Sequence, residues 1–208
     1  MIRPPGWIGV AFTDRSDGDL RGDPQARQEV SRSLGMSPEW AVVRQVHGSR
    51  VVRVDGPGEA GEADAVWTSE RGLPVAVFTA DCFGVVLTAP TAVGVAHAGW
   101  RGAVSGVVDS LREEMTSAGA PPIRAAVGPG IGPCCFEVGE DVVQNFDSRH
   151  VGETRWGTTS VDLPAVVGDG LAGLEVWASG GCTLHEEGWF SHREDGTSRR
   201  MAAVGWLP

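Results

Sequence analysis

Cys82 and His97 are the first residues in the chain whose types and spacing suggest chemistry. If the segments around them pair antiparallel through a two-residue Pro90-Thr91 turn, position 89 faces 92 and position 82 faces 99. His97 shares that face two positions along. Such diagonal neighbours lie about 7–8 Å apart at the backbone, within reach of a shared metal. A turn of odd length would send them to opposite faces. His47, next to the break at Gly48-Ser49, is the candidate third donor. One thiolate and two imidazoles suit zinc, and three protein donors with one open position are the catalytic pattern. A water in the open position loses its proton near neutral pH and becomes a nucleophile. His47, Cys82 and His97 are therefore the candidate metal ligands and catalytic residues. Spacing alone favours a plainer reading, a half-buried cysteine and two ordinary histidines, because the three are scattered along the chain.

Other residues carry weaker signals. Asp81 is a candidate acid/base or supporting group, but a regular strand would point it away from Cys82 unless a bulge intervenes. Arg101 and Arg193 are candidate phosphate contacts, with surface ion pairing and solvation as the alternatives. The glycine-rich run Gly128 to Gly139 offers backbone N–H groups to an anion, or simply a rigid pocket wall. Within it, Gly132 and Cys135 are the candidate substrate contacts. A vicinal Cys134–Cys135 disulfide would be strained, so core packing with an accessible thiol is expected there. Cys134, Cys135 and Cys182 are expected to be dispensable for metal binding.

The elements that must position these residues are short and mixed. Trp7 to Phe12 reads as a strand, and Asp23-Pro24 opens a helix that Gly35 stops. Ala41 to Val54 reads as a hairpin turning at Gly48-Ser49. Pro74 to Ala89 reads as one long strand and Thr91 to Ala98 as the next. After Gly99-Trp100-Arg101-Gly102, the apolar residues Val104, Val107, Val108, Leu111 and Met115 fall on one helical face. Ile123–Val127 and Leu174–Ala178 read as strands, 141–146 and 162–171 as helices, and 147–160 as irregular. Strands and helices mix without strict alternation, which predicts an α+β fold.

Composition narrows the function classes. The chain has 208 residues, enough for one domain over 1–208, and 41% are hydrophobic. A formal net charge of -10 excludes a nucleic-acid partner bound by phosphate neutralisation, though local arginines can still hold a small anion. No apolar run reaches membrane-spanning length and the N-terminus carries no signal pattern, so a cytoplasmic protein with reduced thiols is expected.

The segments Gln45-Val46-His47-Gly48, Ala63-Asp64-Ala65, Thr79-Ala80-Asp81-Cys82, His97-Ala98-Gly99-Trp100-Arg101-Gly102, Gly128-Pro129-Gly130-Ile131-Gly132-Pro133-Cys134-Cys135-Phe136-Glu137-Val138-Gly139, and Cys182-Thr183 with Phe190-Ser191-His192-Arg193 occur in that order over nearly the whole chain. Together they resemble the YfiH-type laccase-domain family, also called multi-copper polyphenol oxidoreductases and later purine nucleoside phosphorylases. The resemblance implies a layered α/β/β/α sandwich with zinc on His47, Cys82 and His97. It implies phosphorolysis of adenosine, inosine, guanosine and methylthioadenosine, with deamination of adenosine. Its alternatives are editing of peptidoglycan precursors and copper-dependent polyphenol oxidation. Copper accepts a His₂Cys set, but five histidines are too few to add an oxygen-reducing cluster. The chain departs from the family pattern in a shortened loop at Thr13 to Leu20, in Leu184-His185, and in His192.

Overall fold

The computed structural model describes residues 1–208. In chain order the strands are β1 (Val10–Phe12), β2 (Ala41–Arg44), β3 (Val51–Arg53), β4 (Gly58–Glu62), β5 (Ala65–Thr68), β6 (Val75–Thr79), β7 (Phe83–Ala89), β8 (Ala92–Ala98), β9 (Arg124–Val127), β10 (Val151–Glu153), β11 (Thr159–Val161), β12 (Glu175–Ala178) and β13 (Met201–Gly205). The α-helices are α1 (Pro24–Leu34), α2 (Trp100–Val104), α3 (Val107–Ser117), α4 (Glu140–Val143), α5 (Leu163–Asp169) and α6 (His192–Asp195). No helix is long and apolar enough to cross a membrane.

Two mixed sheets form the body. One has the order β1-β13-β6-β2-β4, the other β12-β9-β7-β8-β5-β3. Their facing sides share one buried layer, in which Val75, Val77 and Ala203 meet Val86, Val93, Val95 and Ala126. The alternate residues of the same strands point outward, as the strand period of two requires. Ala76, Phe78, Ala202 and Val204 pack under α1 through Ala26 and Val30. Val85, Leu87 and Ala96 pack under α3 and α5, against Val107, Leu111, Met115, Leu163 and Val167. The result is an α+β fold layered helix, sheet, sheet, helix.

Local sequence accounts for the helix ends. Asp23 caps α1 by accepting from the Gln25 N–H, Pro24 starts it, and Gly35 ends it in a left-handed conformation. The expected apolar helix after Gly99 is two helices, because Gly106 turns left-handed at φ 73° between α2 and α3. Val104 leaves the apolar face and is 43% exposed.

Two strand expectations fail, both for tertiary reasons. Ala41 to Val54 is not a hairpin: β2 pairs parallel with β4 and β6 in one sheet, while β3 pairs parallel with β5 in the other. Pro74 to Ala89 is two strands in different sheets, with residues 80–82 crossing between them. The irregular segment 147–160 contains β10, which pairs with β11. β4 escapes a propensity reading because Gly-Glu-Ala-Gly-Glu has no β-branched or aromatic residue.

Candidate metal centre

The β7–β8 pair has the register that a two-residue turn demands, with Ala89 opposite Ala92 and Phe83 opposite Ala98. Cys82 precedes the first strand and His97 lies near the end of the second, so both reach the point where the chain crosses between the sheets. Asp81, at φ 85°, makes the crossing. His47 arrives from the loop between β2 and β3. Its own φ is 63°, a left-handed conformation that a non-glycine residue keeps only when its surroundings enforce it.

The enforcing group is Asp64. Its fully buried carboxylate accepts the backbone N–H groups of Val46, His47 and Gly48 at 3.2, 2.9 and 2.7 Å. The same carboxylate lies 2.8 Å from His97 Nδ1. That contact holds a proton on Nδ1 and turns Nε2 toward Cys82. One acid thus sets both histidines. Ala63-Asp64-Ala65, a lone carboxylate between apolar residues, is the only local sign of this role.

The donor atoms of His47, Cys82 and His97 all lie within 4.8 Å of one another. The two rings meet edge-on with centroids 4.8 Å apart. Burial pushes the Cys82 thiol up, but hydrogen bonds from His47 and His97 outweigh it and bring the pKa to about 6. Burial lowers His97, while Asp64 and then Cys82 raise it, to about 9. Cys82 is thereby a thiolate at neutral pH, the form that binds metal. Two nitrogen donors and a thiolate fit zinc, and equally copper(II). Gly99 has no room for a side chain: an added Cβ would lie 2.9 Å from Cys82 Sγ and 3.0 Å from His47 Cδ2.

A cavity of about 310 Å³ opens over the trio and is lined also by Asp81, Arg101, Arg193, Phe78, Ile131, Phe136 and His192. Arg21 and Arg200 line it too, from the N-terminal loop and the start of β13, which sequence reasoning did not single out. None of the four arginines pairs with a carboxylate side chain within salt-bridge distance. Burial, then the neighbouring charge of Arg21, pulls the Arg200 guanidinium below its ordinary value. Arg193 donates to the Glu137 carbonyl oxygen at 2.8 Å and stacks over Phe136. Asp81 is committed: it accepts from the Thr183 hydroxyl and from the Arg193 backbone N–H, both at 2.7 Å. Gly132 and Cys135 do not line this cavity. Cys135 is 1% exposed and lies against His185.

The family described as multi-copper polyphenol oxidoreductase laccase matches residues 17–208. A purine nucleoside phosphorylase of Streptomyces griseus, ORF3, is 41% identical, over 97% of this chain and 91% of its own length. A purine nucleoside phosphorylase of Deinococcus radiodurans is 38% identical, over 97% of this chain and 83% of its own. Among solved structures, the hypothetical protein YfiH of Bacillus licheniformis superposes with a TM-score of 0.86 at 24% identity, covering 96% of this chain and 92% of that one. YlmD of Geobacillus stearothermophilus superposes at 0.84 with 27% identity, covering 99% and 94%.

Proposed function

The chain belongs to the multi-copper polyphenol oxidoreductase laccase family, and from that premise we propose that it is a zinc-dependent purine nucleoside phosphorylase that also deaminates adenosine. The nucleosides are adenosine, inosine, guanosine and methylthioadenosine, and the compartment is the cytoplasm. One observation carries the reading. In a chain of formal charge -10, a thiolate–imidazole trio opens into a cavity that four arginines enter without carboxylate partners. Relatives named purine nucleoside phosphorylase, matched over nearly the whole chain, support it.

Phosphorolysis joins a phosphate oxygen to C1′ of the ribose and breaks the C1′–N bond, and the base leaves with the bonding electrons. Arg101, Arg193, Arg21 and Arg200 hold the phosphate and balance its charge. Phe78 and Phe136 offer apolar surface to the purine. Asp81 acts by position, fixing the backbone that carries Arg193 and the loop at Thr183. Gly132 and Cys135 act through their loop, which brings Ile131 and Phe136 to the cavity. Bound on His47, Cys82 and His97, zinc supplies a Lewis acid and lowers the pKa of a water for deamination.

Zinc-quantified protein incubated with each nucleoside, with and without phosphate, tests the proposal. Chromatography is expected to show free base and ribose 1-phosphate only with phosphate, and slower ammonia release from adenosine. Arg193→Ala is expected to weaken phosphorolysis by about 2–3 kcal/mol, the value of a charge-assisted pair. Deamination, which uses water, is expected to fall less. Nucleoside left unchanged by the zinc-loaded wild type overturns the assignment.

A further inference from the structure

Against the expectation that Cys134, Cys135 and Cys182 are dispensable for metal binding, we propose that these three cysteines and His185 form a second metal site, separate from the first, for a thiophilic closed-shell cation, zinc foremost. Their ligand atoms all lie within 4.8 Å of one another. His185 Nδ1 is 3.3 Å from Cys135 Sγ and 3.5 Å from Cys134 Sγ. Donors on a tetrahedral zinc at about 2.3 Å stand about 3.8 Å apart, so this spread needs only small side-chain adjustment. Three thiolates and one imidazole are a closed structural zinc set, with no position left for substrate.

The backbone brings these residues together independently of any metal. β9 and β12 are parallel neighbours, so the loops that follow them leave the same sheet edge side by side. Gly130 and Cys182 form a parallel bridge, and the Thr183 N–H donates to the Gly130 carbonyl oxygen at 3.0 Å. Glu186 closes the second loop by accepting from the Cys182 N–H at 3.0 Å. The Gly132 N–H points at Cys182 Sγ from 3.2 Å, a donor that favours a thiolate there. Gly132 also keeps the loops close, since a Cβ on it would sit 3.4 Å from Cys182 Cβ in the other loop. Cys135 and Cys182 are buried, Cys134 half-buried, and His185 exposed, which leaves an entry path on the histidine side.

A cation here would clamp the glycine-rich loop to the 180–186 loop. Both loops reach the first cavity, one through Ile131 and Phe136, the other through the Thr183 hydroxyl on Asp81. The site is thus structural and stands whether or not the nucleoside reading holds.

Metal counting on the full chain tests it. Wild type purified under reducing conditions is expected to carry about two zinc per chain, His97→Ala about one, and His97→Ala with Cys182→Ser none. Cobalt loaded into His97→Ala is expected to give the intense sulfur-to-cobalt absorption of several thiolates, lost on adding Cys182→Ser. His185→Ala, an exposed change that spares the fold, is expected to weaken cobalt binding in the His97→Ala background by at least about tenfold. The proposal is overturned if wild type holds a single zinc that Cys182→Ser leaves in place. It is equally overturned if mass spectrometry of the reduced preparation finds a disulfide among Cys134, Cys135 and Cys182 and no second zinc.

Discussion

The two sulfur–imidazole clusters use the same two residue types and treat a thiol in opposite ways. At Cys82 one thiol faces two histidines, and their hydrogen bonds overcome burial to bring it to about 6. At Cys135 burial, then the neighbouring thiols of Cys134 and Cys182, push it up to about 12. The company a cysteine keeps decides its proton affinity. A thiolate that shares its proton with an imidazole is stable without metal. Burial pushes the Cys134 and Cys135 thiols up, so these two hold their protons until a cation replaces them, while against burial the Gly132 N–H helps bring Cys182 below the ordinary thiol value. The first cluster is therefore preformed for open-sided chemistry, and the second waits for a metal to close it.

The largest expected effect separates the clusters outright. Cys82→Ala or His97→Ala is expected to empty the first site and abolish nucleoside turnover, because two remaining donors bind too weakly. Elemental analysis with a turnover assay checks this, and full zinc occupancy with activity in either variant would redraw the ligand set. A smaller effect is expected from Asp64→Asn. The amide still occupies the space but cannot accept from three backbone N–H groups and His97 as the carboxylate does. Competition with a chelator is expected to show zinc affinity reduced about 10–100-fold at the first site. An unchanged affinity would show that the carboxylate does not organise the histidines.

The smallest effect sharpens the proton contrast. In metal-free protein, alkylation of Cys82 is expected to slow roughly tenfold from pH 7 to pH 5, as the thiolate is protonated through its pKa of about 6. Cys135 is expected to stay unlabelled across that range. Peptide mapping after timed labelling reads both, and equal rates at the two cysteines would erase the distinction.

Part of this arrangement is legible in the chain itself. The Pro90-Thr91 turn is short and flanked by alternating β-formers, so the register that makes Cys82 and His97 neighbours follows from local rules. Helix α1 announces both its ends, through Asp23-Pro24 and Gly35. The 41–54 segment misleads because Gly48-Ser49 carries a hairpin signal, yet the neighbouring N–H groups bond to the Asp64 carboxylate and the flanking strands pair in different sheets. The split at residues 80–82 is hidden in the same way. Nothing in an apolar run says that an aspartate within it will turn left-handed to meet Thr183 and Arg193.

The sequence by itself determined the elements whose partners lie close along the chain: the β7–β8 pair, the capped ends of α1, the alternation of inward and outward side chains, and the acidic overall balance. Only the tertiary structure decided what comes from far away. Asp64 meets His97 across 33 positions, and Asp81 meets Thr183 across 102. Arg21 and Arg200 enter one cavity from opposite ends of the chain, and Cys135 and His185 meet across 50. Turn chemistry and strand period act over a few residues, so a reading of the chain can recover them. Hydrogen bonds and ligand clusters act over a few ångströms of space, which the packing of two sheets creates and no local pattern records.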